Sequence, residues 1–119
     1  MTPFGKSVTW ELRVASAAVG TASIIDYRFL PKACEALVTN ALFYVCRTDA
    51  IEAARAAVFR DARALAAAIE TLGVHPVGSS AEIDAARTQA LASFEDLILA
   101  VENAQVTHVG YVLGVAELL

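Results

Sequence analysis

Polar or small residues Lys6, Thr9, Arg13, Ser16, Gly20, Ser23 and Tyr27 recur at steps of three and four, leaving Trp10, Val14, Ala18 and Ile25 on the opposite side. Such spacing predicts a helix over about residues 6–28. Within it, Val8, Trp10, Leu12 and Val14 alternate with Thr9, Glu11 and Arg13, so residues 7–15 also fit one face of a strand. Helix is the preferred reading, because the alanine-rich continuation keeps the helical period and a lone strand has no evident mate.

Pro31 stands where a first helical turn begins, and the run from there to Cys46 is apolar on most sides, as a centrally packed helix would be. Asp49 and Glu52 have the spacing of a capping box, which predicts a break near 47–49. The alternative is one uninterrupted helix, since Leu37, Ala41, Tyr44, Thr48, Ile51, Arg55, Val58, Ala62, Leu65, Ile69 and Leu72 follow a single 3–4 pattern. Gly73 to Ser80 ends this region with glycine, proline and a second box, Ser79 with Glu82. From Ser80 on, Leu91, Phe94, Ile98, Val101, Gln105, His108, Val112, Val115 and Leu119 hold the helical spacing to the last residue. Gly110 and Gly114 weaken that stretch by about 1 kcal/mol each, or permit close helix contact.

The expected fold is therefore all-α. It is a helical bundle built on a long antiparallel hairpin of residues 31–72 and 80–119, the first arm broken near 47–49 or continuous, with an additional helix over 6–28. At 119 residues one domain spans the chain, because two cores could not both be sustained.

Composition sharpens this picture. About a fifth of the residues are alanine, the strongest helix former, and the three prolines fall where elements begin or end. Apolar residues make up 57% of the chain, more than a small monomer readily hides, which predicts self-association. The charge-free runs Val14 to Ile25 and Asn103 to Ala116 are 12 and 14 residues long, short of the roughly 18–20 needed to span a bilayer. No cleavable signal pattern opens the sequence, so the expected location is cytoplasmic. Cys34 and Cys46 lack a metal-ligand spacing and would lie about 18 Å apart on one continuous helix, so they read as free buried thiols.

The search for chemistry yields little. Neither His75 nor His108 has a glutamate three residues before it, as a metal-binding bundle would require, and no phosphate loop, HExxH or nucleophile elbow occurs. No catalytic residue, cofactor or metal is expected. His75, Ser79 and Ser80 are the loop residues suited to a ligand, since free N–H groups at a helix start attract anions. The simpler reading is a capped turn. His108, on the apolar stripe, reads as a core or interface histidine.

Charge is unevenly spread. Residues 1–64 hold eight basic and six acidic side chains, whereas residues 65–119 hold Arg87 alone against seven acids. This pattern orients antiparallel helices, or presents an acidic face to a basic protein partner. Nucleic acid is not an expected partner at a net charge of −4, nor is a membrane.

These features point to a non-enzymatic, homo-oligomeric interaction module, a regulatory adaptor or antagonist, with Leu91, Phe94, Ile98, Val101, His108, Val112 and Val115 as its contact stripe. The alternatives are a structural subunit of a larger assembly such as a virion or filament, and a binder of small apolar ligands in a helix cleft.

Overall fold

A computed structural model describes the backbone of residues 4–22, 27–43, 45, 47–74 and 80–118, and the side chains of 8–22, 27–43, 45, 47–71 and 81–104. All regular structure among them is helical: α1 (Phe4–Gly20), α2 (Leu30–Ala41), α3 (Asp49–Val74) and α4 (Ser80–Leu118). The strand alternative for residues 7–15 is thereby excluded.

Each helix ends for a local reason. Past Gly20, the Thr21 hydroxyl donates to the Ala17 carbonyl at 2.9 Å, and the Arg87 guanidinium occupies the carbonyls of Val19, Gly20 and Ala22. Acceptors that a continuing helix would need are thus taken, and α1 stops well before the expected residue 28. α2 starts with Pro31 in its first turn, where the missing N–H costs nothing. It ends at Ala41 and α3 begins at Asp49, so the break opens earlier than the expected 47–49, and the uninterrupted arm is not formed.

The cap of α3 is also shifted by one residue from the expected box. Thr48 is the capping residue: its hydroxyl accepts the Ile51 N–H at 3.2 Å and its carbonyl accepts the Glu52 N–H at 3.0 Å. Asp49 is instead the first helical residue, favourable beside the positive helix start. Glu52 turns to Arg55 at 2.5 Å and to Arg47 at 3.8 Å. The second box, Ser79 with Glu82, falls outside the described residues at Ser79, although α4 does begin at Ser80.

The four helices pack in a cycle, α1 on α2, α2 on α3, α3 on α4 and α4 back on α1. Asp61 lies 13 residues before the end of α3 and meets Ser93, 13 residues after the start of α4, which sets the two antiparallel and in register. Arg13 of α1 reaches Glu95 while Gly20 meets Arg87, so α1 also runs antiparallel to α4. The result is an up-down-up-down bundle 67 Å long and 18 by 17 Å across.

The core runs along the bundle axis. Leu12 and Val19 from α1, Val38 from α2, Ile51, Val58 and Leu65 from α3, and Phe94, Leu97 and Val101 from α4 are all buried to within 1%. Each large side chain so buried contributes about 1.5–3 kcal/mol relative to exposure. No helix among the described residues is long and apolar enough to cross a membrane.

Candidate functional site

α1 is apolar on two faces, and only one is used by the core. Val8, Leu12, Ala15, Val19 and Ala22 point inward, whereas Trp10 and Val14, one turn apart, point outward with 68% and 45% exposure. Of the predicted apolar stripe, Trp10, Val14 and Ala18 therefore lie on the outside of the bundle, and Ile25 falls outside the described residues.

α2 repeats the arrangement. Leu30, Cys34, Val38 and Ala41 are buried, while Leu37 is 37% exposed and Phe29 and Phe43, at either end of the helix, are 70% and 67% exposed. Contrary to the central position expected of it, α2 packs mainly on α1 and α3, and its outer stripe is exposed. Ala33, Ala36 and Asn40 complete that stripe and are exposed.

Pro31 at the start of α2 lies beside Arg63 and Glu70 in the later half of α3, so α2 runs antiparallel to α3 and to α1. The outer stripes of the neighbouring α1 and α2 make up one apolar side of the bundle. Five of the six large exposed hydrophobic residues described belong to it; the sixth, Leu99, stands alone on α4. Around Leu99 the outer surface of α4 is acidic, with Glu82, Asp84, Glu95, Asp96 and Glu102 all exposed. Arg87, the basic residue that accompanies these acids in the sequence, is turned away. Its Nη1 donates to the carbonyls of Val19 at 3.1 Å and Gly20 at 2.7 Å, and its Nη2 to that of Ala22 at 2.9 Å. The cation sits at the negative end of the α1 dipole and ties α1 to α4.

The described interior holds one carboxylate. Asp61, 5% exposed, accepts hydrogen bonds from Ser93 Oγ and from Arg60, whose Nε lies at 3.1 Å. Burial pushes its carboxyl up, but hydrogen bonding by Arg60, Ser93 and Gln89 together with the Arg60 charge outweighs that and holds it below the ordinary carboxylate value. Through Ser93 the carboxylate ties α3 to α4.

Cys34 is buried beside the core, where burial pushes its thiol up to about 11, with the Glu35 charge adding to the effect. A shallow groove between the start of α2 and α3 is lined by Tyr27, Arg28, Arg63 and Glu70. Its helix terminus offers few free donors: the Leu30 N–H bonds to the Tyr27 carbonyl, Pro31 has none, and the Ala33 N–H bonds to the Phe29 carbonyl. No group of three metal-ligating side chains occurs among the described residues.

The residues expected to form a contact stripe on the last helix are placed differently. Phe94, Ile98 and Val101 are interior, at 0%, 2% and 0% exposure, and Leu91 is half-buried against Gly20. The described part of that stripe is core within one chain, because α1 and α3 pack on α4 there. His108, Val112 and Val115 lie in the part of α4 whose side chains are outside the described residues, as do those of His75, Ser79 and Ser80. Sequence reasoning missed the α2 stripe and the role of Arg87. The signal for the first was present, in a helix apolar on most sides whose bundle partners can cover only one of them.

No family model, curated protein or solved structure matches this chain.

Proposed function

We propose that this chain is a non-enzymatic helical interaction module that docks on another polypeptide through the outer face of α1 and α2, in an adaptor, antagonist or other regulatory role. The observation that carries the proposal is the second apolar face of these two helices, with Trp10, Val14, Phe29, Leu37 and Phe43 open to water. A monomer of 12.6 kDa typically exposes about 6,200 Å², and this chain exposes 7646 Å². Part of the surplus reflects the elongated shape, and among the described residues five of the six large exposed apolar side chains lie on α1, on α2 or beside its ends. Contiguous apolar patches beyond a few hundred Å² mark contact surfaces.

Chemistry supports the same reading. The described interior polar residues, Asp61 and Ser93, hydrogen-bond to each other across α3 and α4 and so serve helix packing. The elongated form also suits a subunit of a larger assembly, which is the second reading.

A photo-crosslinking residue in place of Val14, in cells that produce the protein, tests the proposal. The expected result is a discrete protein adduct, absent when the same residue replaces the exposed Thr88 of α4. No adduct from position 14, or equal adducts from both positions, counts against it.

A further inference from the structure

We infer that the occupant of the α1–α2 face is a second copy of the same chain, related by a two-fold axis, so that association closes at a dimer of eight helices. This inference rests on the interaction-module reading and names its partner.

Three observations carry it. The first is charge. On and beside the face stand two acids, Glu11 and Glu35, and two bases, Arg28 and Lys32, all exposed, while Arg13 is held by Glu95 of α4. Two copies meeting there do not repel one another, and a two-fold arrangement lets the acid of one copy approach the base of the other. The outer side of α4, with five exposed carboxylates, has the opposite property and keeps copies apart.

The second is area. The 17 residues of α1 rise about 25 Å, and the bundle is 18 Å wide, which gives a flat footprint of roughly 450 Å² before side chains corrugate it. That is below the ~800 Å² per partner of a standard interface, so the exposed aromatic side chains Trp10 and Phe29 have to carry much of the contact. Aromatic residues of this kind are the anchors that dominate such contacts.

The third is one-sidedness. Open growth needs two different faces that fit each other, whereas a single self-complementary face closes at two copies. Among the described residues the large exposed apolar side chains gather on one face, apart from the lone Leu99.

Trp10 is the only tryptophan in the chain and lies within the face, so it reports its own burial. Purified protein is examined by sedimentation equilibrium and tryptophan emission over the same concentration series. The mass should rise from 12.6 kDa to twice that value and no further, with emission moving to shorter wavelength in step. Leu37→Glu, and independently Phe29→Glu, should weaken dimerisation by about tenfold or more while the circular dichroism stays helical.

Growth beyond two copies overturns the closed arrangement, and a dimer whose Trp10 emission does not shift overturns the choice of face. A monomer at every concentration overturns the second copy as occupant. If crosslinks from position 14 then appear at a mass other than that of a dimer, the interaction-module reading stands without this inference; if none appear, both fall.

Discussion

The Asp61 carboxylate on α3 accepts a hydrogen bond from the Ser93 hydroxyl on α4 inside the buried α3–α4 interface. The buried apolar side chains around this pair, among them Val58, Leu65, Phe94 and Leu97, pack by shape and hydrophobicity, which tolerate sliding by a turn. A buried polar pair does not tolerate it, since a slip strands both groups without partners. Replacing Asp61 by Ala is expected to cost about 2–3 kcal/mol, because the Ser93 hydroxyl is left without its acceptor. Urea unfolding at neutral pH, compared with Ser93→Ala and the double variant, measures the coupling; additive losses would show that the pair does not act as a unit.

The same carboxyl sets a pH dependence. Its value is lowered by folding, so its contribution is fully present above the unfolded value of about 3.9 and is lost as pH falls through the lower folded value. Stability should therefore decline below about pH 4 more steeply in the native chain than in Asp61→Asn, which cannot titrate there. Thermal or urea unfolding between neutral and strongly acidic pH gives the two profiles, and parallel curves would contradict the assignment.

Arg87→Met keeps the aliphatic stem but removes three donors to the carbonyls at the end of α1. The expected loss is about 2 kcal/mol, with faster amide exchange in the last turn of α1. Arg87→Lys should recover only part of it, because an ammonium lacks the planar fork that reaches several acceptors.

Phe94 and Trp10 illustrate opposite fates of large aromatic side chains. Phe94→Ala should cost about 3–5 kcal/mol through the cavity it leaves. Trp10→Ala, compared in a Leu37→Glu background so that association does not contribute, should change monomer stability by no more than about 0.5 kcal/mol. A loss at Trp10 approaching that at Phe94 would mean that its face is packed within the chain.

Cys34, with its thiol pushed up to about 11 and 1% exposed, is expected to be inert. In a Cys46→Ser chain at pH 8 the thiolate fraction is about 0.1%, so Ellman's reagent should label Cys34 only after unfolding in urea. Rapid labelling of the folded protein would place the side chain elsewhere.

Helix periodicity was legible from the residues alone because it is local: Ile51, Val58, Ala62, Leu65 and Ile69 on α3, and Phe94, Ile98 and Val101 on α4, face inward as their spacing requires. The all-helical class and a second helix boundary near residue 48 follow from the same local signals. What the face of α4 packs against is not local. Its stripe reads equally well as core or as contact surface, and only the presence of α1 and α3 on either side makes it core.

For α1 and α2 the ambiguity is sharper, since both carry apolar residues on two sides and the period by itself does not rank them. Leu12 rather than Trp10, and Val38 rather than Leu37, turn inward because four helices closing a cycle offer each member one interior. The sequence by itself determined that this chain is helical and has more apolar surface than one bundle uses. Tertiary structure decided which residues make up the unused part, because burial depends on what neighbouring helices cover, while helix formation depends mainly on residues three and four positions away.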